Sequence, residues 1–291
     1  MKTLLTPEQK SQIIPLYNKG MSCSQVAKEL KMSAWSVTDC LTKNGISIRK
    51  QIEYSLNEKY FDDINTQEKA YFFGLLYADG CNTYDPKNST YRIHINLRES
   101  DKEILEQLRV AIKLERPLRM LKKHSEKWSN QYDLRINNKY LSSKLNELGM
   151  VKGKTLTKQF PCCLEDNLIR HFIRGYFDGN GHLQNASKVG IYSTSMFINK
   201  LAEILKKSVG INSCVRMAYN KENLIHRSLE VSGRVQVQKF LEFIYKDSTV
   251  HIERKHKKYL EITAENLCRT WFNNNKYSLD NKYLSKMILG K

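Results

Sequence analysis

The octapeptide Phe73-Gly74-Leu75-Leu76-Tyr77-Ala78-Asp79-Gly80 recurs without a gap as Arg174-Gly175-Tyr176-Phe177-Asp178-Gly179-Asn180-Gly181, 101 residues further along the chain. Each copy ends an amphipathic segment, and the spacing predicts helices over Gln67 to Asp79 and Leu168 to Asn180. Each copy also carries glycine in mid-helix, which costs about 1 kcal/mol relative to alanine and so asks for a reason. Gly74 with Ala78, and Gly175 with Gly179, supply one: small residues at i and i+4 let two helix backbones approach closely. Helices packed in that way bring Asp79 and Asn180 side by side. Oxygen donors so placed suit a divalent cation.

Charge points to the partner. Lys and Arg number 48 against 30 Asp and Glu, a formal +18 over 291 residues, which implies a polyanion. The length suits about two domains. The N-terminus reads as no signal peptide and no apolar run reaches membrane length, so the expectation is a protein that is not secreted, cytoplasmic or organellar, with no membrane partner. The seven cysteines form no C-x-x-C pair, which suggests reduced thiols. Adjacent Cys162 and Cys163 have no matching ligand pair nearby and read as ordinary packing. His251 and His256 lie five apart, wrong for one helical face, and read as solvated basic residues.

Residues 1–46 read as a small all-α domain. Thr6-Pro7-Glu8 opens a helix that Gly20 closes, Ser22 begins a second, and Ser33 caps a third that ends at Gly45. The run from Gly20 through Val26, Ala27, Leu30 and Met32 to Val37 resembles a helix-turn-helix of the resolvase or sigma-factor type. That arrangement places its last helix in the DNA major groove. Trp35, Ser36, Thr38 and Lys43 are then candidate DNA contacts; a protein-interaction bundle is the alternative. A linker over 47–64 carries Arg49 and Lys50, suited to lying along phosphates or simply to solvation.

Behind each octapeptide the element order repeats. Across Tyr91 to Arg98, Ile93, Ile95 and Leu97 alternate with Arg92, His94, Asn96 and Arg98, the period of a half-buried antiparallel strand. Its polar face suits base edges and phosphates. Helix Asp101 to Ile112 follows, then a basic strand around Leu118 to Lys123 with Arg119 and Lys122. Strand Gln131 to Asn137 bears Arg135, and helix Tyr140 to Leu148 closes the half. The second half offers strands Val189 to Ser193, Ser213 to Tyr219 and Arg227 to Ser232, with helices Met196 to Val209 and Val235 to Tyr245. Ser193 and Arg216 are its candidate DNA contacts. Residues 263–291 read as a helical tail in which Trp271 and Phe272 suggest docking.

At the two octapeptides the chain resembles the LAGLIDADG homing endonucleases, in the form that fuses two copies into one pseudo-dimeric chain; the resemblance covers roughly residues 65 to 262. It implies an α+β fold: two pseudo-symmetric αββαββα halves, 65–160 and 161–262, with saddle-shaped antiparallel sheets that straddle DNA. It implies a monomer cleaving double-stranded DNA at a long specific site, in the setting of an intron or phage mobile element. The acidic residue before the last glycine of each motif binds the catalytic metal, Mg²⁺ or Mn²⁺, with Ca²⁺ as a non-catalytic substitute. Asp79 matches that position and Asn180 does not; Gly80 and Gly181 add backbone oxygens. Family enzymes also carry a lysine near each metal centre, and Lys154 and Lys255 are the candidates. An amide at 180 leaves three alternatives: an exchange designed to keep bound DNA uncut, a protein that nicks one strand through Asp79, or a non-cleaving DNA-binding regulator. A splicing cofactor gripping RNA is a further reading of the charge.

Overall fold

The structure, a computed structural model, describes residues 6–48, 54–122, 129–151, 157–219 and 225–274. The chain divides into two compact units, Met1–Glu53 and Tyr54–Lys291.

The first unit holds three helices, α1 (Pro7–Asn18), α2 (Cys23–Glu29) and α3 (Ala34–Lys43). Two capping boxes start it. The Thr6 hydroxyl accepts from the Gln9 amide while the Gln9 side chain accepts from the Thr6 amide, and Ser22 and Gln25 do the same for α2. Ser33 caps α3. Gly20 and Gly45, both at positive φ, end α1 and α3 where a side chain would be strained. Ile13, Tyr17, Val26, Ala27, Val37, Cys40 and Leu41 form its core.

The second unit opens with α4 (Gln67–Asp79), capped by Thr66. From Ala70 to Ala78 every residue of α4 is buried. A helix apolar all round needs cover on all sides. Part of that cover is α7 (Asp166–Asn180), the second motif helix. A Cβ built on Gly74 would lie 2.2 Å from the Phe172 carbonyl oxygen, and one on Gly175 would lie 2.0 Å from that of Tyr71. The two backbones touch reciprocally, as the small-residue spacing predicts.

After α4 come β1 (Cys81–Asp85), β2 (Thr90–Arg98), α5 (Lys102–Ala111), β3 (Arg119–Leu121), β4 (Gln131–Ile136) and α6 (Lys139–Glu147). After α7 come β5 (Gly181–Asn185), β6 (Lys188–Ser193), α8 (Ser195–Val209), β7 (Cys214–Tyr219), β8 (Ile225–Ser232) and α9 (Arg234–Tyr245). The order is αββαββα twice, and the sheets have matching antiparallel topologies, β1-β2-β4-β3 and β5-β6-β8-β7. Ile93, Ile95, Leu97, Leu134 and Ile136 line the inner face of one sheet, and Val189, Ile191, Leu229 and Val231 that of the other. Leu105, Leu108, Leu141 and Leu145 from α5 and α6, with Phe197, Leu201, Phe240 and Leu241 from α8 and α9, join them in one core. A last helix, α10 (Glu253–Asn274), packs on α9 and runs unbroken past residue 262; the side chains of Trp271 and Phe272 lie outside the described residues. Among the described residues no helix is long and apolar enough to cross a membrane.

Several expectations need correction. Cys162 and Cys163 are exposed rather than packed, and every described cysteine is a free thiol. Ser193 is a poor candidate for DNA contact, because its side chain points inward and accepts from the Tyr176 hydroxyl at 2.9 Å. His251 and His256 are not simply solvated: their rings stack with centroids 3.8 Å apart. The helical-face argument fails because His251 precedes α10, which begins at Glu253.

Candidate metal centre and nucleic-acid interface

Asp79 and Asn180 are the last residues of α4 and α7, and the glycine contacts bring their ends together. A Cβ on Gly179 would stand 2.5 Å from that of Ala78 and 3.2 Å from an Asp79 carboxylate oxygen. Asp79 is exposed and Asn180 half-buried. The Asn180 amide nitrogen lies 3.5 Å from the Ala78 carbonyl and 3.4 Å from the Tyr176 hydroxyl, both long for hydrogen bonds. With its nitrogen turned to those acceptors, the amide has its carbonyl oxygen left as a hard donor. Asp178, two residues earlier in α7, takes no part. It is buried and accepts from the Tyr71 and Tyr245 hydroxyls and, at 2.8 Å each for Tyr71 and the amide of Ile252, anchors the segment before α10.

Two lysines flank the helix ends. Lys255 donates to the carbonyls of Phe177, Asp178 and Gly181 at 2.6, 2.9 and 2.7 Å. An ammonium has three protons, and all three are engaged. Lys255, a candidate for the lysine beside a metal centre, therefore caps the negative end of α7 and has no ammonium proton left for a water. Burial lowers its pKa to about 8. Its ammonium also occupies the carbonyl of Gly181, expected to face a metal.

Lys158 is the residue that sequence reasoning missed. Its ammonium lies 3.2 Å from the Tyr176 hydroxyl and 3.5 Å from the Ala78 carbonyl, and its own carbonyl accepts from Thr194. Burial pulls its pKa down to about 8, against the pull of Asp79. Lys154, which lies as far behind Asp79 as Lys255 lies behind Asn180, falls outside the described residues, as do Arg49, Lys50 and Lys123. No spacing rule in the sequence singles out Lys158.

Beside the helix ends opens a cleft of about 460 Å³ lined by Arg98, His182, Arg254, Lys255 and Lys258 with the backbone of Gly179 and Gly181. Its lining has basic side chains and no acidic one, which suits an anion. Arg254 is held by a two-pronged ion pair with buried Asp101, at 2.9 to 3.0 Å. That pair ties the start of α10 to the first half.

The outward sheet faces are basic. Arg92, Asn96 and Arg98 are exposed and His94 half-buried, as the alternation predicts. Pairing sets His94 beside Arg135 and Asn96 beside Asp133, with Arg119 beyond. Asp133 lies on this face yet is buried, and it accepts from Arg119 at 2.9 Å and Arg135 at 3.2 Å. Burial also lowers the pKa of His94. On the second sheet Glu230 pairs with Arg216 at 3.0 Å and Lys188 at 3.3 Å, and the His182 ring stacks on exposed Tyr192. Each face thus holds a central acid that fixes the direction of two cations. Lys122 is exposed beyond β3. In the N-terminal unit Trp35 and Lys43 are exposed, with Lys43 paired to Asp39 at 2.8 Å, while Ser36 and Thr38 are half-buried.

Comparison with known proteins agrees with the repeat. Residues 167–245 match the LAGLIDADG-like domain. The match falls on the second half, and the first half has the same strand topology. Glutamine--fructose-6-phosphate aminotransferase [isomerizing] of Methanocaldococcus jannaschii is 28% identical over 207 residues, 68% of this chain; the chain spans only 18% of that protein's length. A structure of the homing endonuclease I-DmoI with DNA and Ca is similar at 17% identity and TM-score 0.46, covering 67% of this chain and 97% of that one. The I-LtrWI LAGLIDADG homing endonuclease bound to target DNA gives 16% and 0.44, covering 80% and 96%. Full-length DUF199/WhiA from Thermatoga maritima gives 17% and 0.43, covering 76% and 71%.

Proposed function

We propose that the protein is a sequence-specific double-stranded DNA endonuclease that works with a divalent cation and whose second strand site is weakened by Asn180. The observation that carries the reading is the meeting of Asp79 and Asn180 at the joined ends of α4 and α7, beside a cleft of cations. The donor set fits Mg²⁺: one exposed carboxylate, one amide carbonyl oxygen and no soft ligand. Asp79 would hold the ion with charge and Asn180 without it. The ion, when bound, supplies Lewis acidity to a phosphate oxygen and lowers the pKa of its water.

The remaining steps belong to the chain itself. Arg98, Arg254 and Lys258 draw the scissile backbone into the cleft, and Lys158 sets a positive charge beside Asp79, where negative charge builds during phosphoryl transfer. The two sheet faces read the flanking duplex through Arg92, Arg119, Arg135 and Arg216. The N-terminal helices serve as an accessory reader, with α3 and Trp35 toward the groove. The chain acts as a monomer, since both motifs are in one polypeptide.

The test is cleavage of a supercoiled plasmid library in Mg²⁺ by the unaltered chain, Asn180→Asp and Asp79→Asn. Nicked circles are expected from the first, linear product from the second, and neither from the third. Binding without any cleavage or nicking by Asn180→Asp would remove the enzymatic reading. It would leave the second one, a non-cleaving DNA-binding regulator, which the amide at position 180 favours.

A further inference from the structure

Away from the helix ends, His251, Glu253 and His256 each offer a ligand atom, and these atoms all lie within 4.8 Å of one another. From this cluster we infer a second metal site, one for a zinc-class ion, that fastens the segment before α10 to the first turn of that helix.

The ligand chemistry separates it from the site at Asp79. Two imidazoles and a carboxylate suit Zn²⁺, Co²⁺ or Ni²⁺, whereas Mg²⁺ takes oxygen donors. Zinc bonds of about 2.0–2.1 Å to nitrogen place tetrahedral ligands roughly 3.4 Å apart. The cluster therefore has to contract by an ångström or so. Glu253 can supply that movement, because its side chain is 81% exposed and its carboxylate is already 3.5 Å from the His251 ring. The two rings need only rotate out of their parallel stack, which is separated by 3.8 Å with an interplanar angle of 18°.

The surroundings are arranged as a ligand shell. Ser248 is within hydrogen-bond distance of His251 Nδ1 at 3.0 Å, which directs Nε2 toward Glu253. The ring of Tyr245 meets His256 edge-on at 5.6 Å and limits its swing. Three ligands leave one position for water, as the exposure of Glu253 permits.

The site's position gives it consequences. Between His251 and His256 the chain carries Arg254 and Lys255, both in the lining of the basic cleft. A metal clip across 251–256 would hold those two side chains without touching DNA. Zinc at this place is structural and does not depend on whether the protein cuts.

The experiment uses the full chain, stripped with chelator and titrated with Co²⁺ in excess Mg²⁺, so that oxygen-only sites are already filled. One equivalent of Co²⁺ is expected, with tetrahedral visible bands and no sulfur-to-metal charge-transfer band. Glu253→Gln, a surface change that leaves the fold intact, should weaken binding by about tenfold or more. The pair His251→Ala with His256→Ala should abolish it, with circular dichroism confirming folding. A chain that takes up no Co²⁺ overturns the proposal. So does uptake that is equal in Glu253→Gln and the unaltered chain, or that shows thiolate bands from exposed Cys162 and Cys163.

Discussion

Gly175→Ala puts the central packing argument at risk. The new methyl carbon would sit 2.0 Å from the Tyr71 carbonyl oxygen and 2.9 Å from the Leu75 nitrogen. Ordinary contact begins at 3.4 Å, so α4 and α7 must part locally by about 1.4 Å. The obstacle is backbone, and no rotamer change relieves it. Overpacking of this kind costs about 1–3 kcal/mol, and the upper end applies. Parting also loosens the ring contacts of Phe172 with Phe73 and Tyr77, now at 5.3 and 5.7 Å, at roughly 0.5–1.5 kcal/mol each. Alanine returns about 1 kcal/mol of helix propensity. The net loss is about 3 kcal/mol, or a fall in Tm of roughly 6–12 °C for a unit of this size. Thermal and urea unfolding measure it directly. A variant that melts at or above the parent would show that propensity outweighs contact. The two helices would then not touch, and the shared site at their ends would be lost with them.

Other predictions concern buried charge and the reacting end. Asp178→Ala strips acceptors from two buried tyrosine hydroxyls and the Ile252 amide, and should cost about 3–5 kcal/mol by denaturant unfolding. His171 is held to a pKa of about 4, first by burial and then by Arg174 and Arg170. Below an unfolded value near 6.5 the unfolded chain binds the extra proton first, so stability present above pH 6.5 should be lost as pH falls toward 4. After a discount for solvent screening, the share from this one ring is about 2 kcal/mol, and His171→Gln should flatten that part of a Tm-against-pH curve. Lys158→Met, tested in the Asn180→Asp background, should lower the cleavage rate by about 100-fold while binding of the same DNA changes little. Equal loss of binding and cleavage would assign Lys158 to packing instead.

Much of this architecture was legible in the residues. The repeated octapeptide gave the two long helices, and the alternation from Tyr91 to Arg98 gave β2 and its exposed basic face. What stayed hidden was polar residues that face inward. β1 carries buried Asn82, whose amide donates to the carbonyls of Ser142 and Met150, and that breaks the apolar alternation that would have marked a strand. Ser193 misleads in the same way, since a satisfied buried polar group looks like a surface one in sequence. Lys158 meets Ala78 and Tyr176 only in three dimensions, and spacing along the chain could not mark it. The histidines lie close in sequence, but the start of α10 at Glu253 hid their stacking from a helical-face reading.

By gripping three carbonyls, Lys255 rivets the amide-bearing terminus to the first turn of α10. One residue earlier, Arg254 bolts the same turn to Asp101 in the other half. That turn is a shared axle, and any shift of α10 is transmitted to both halves at once.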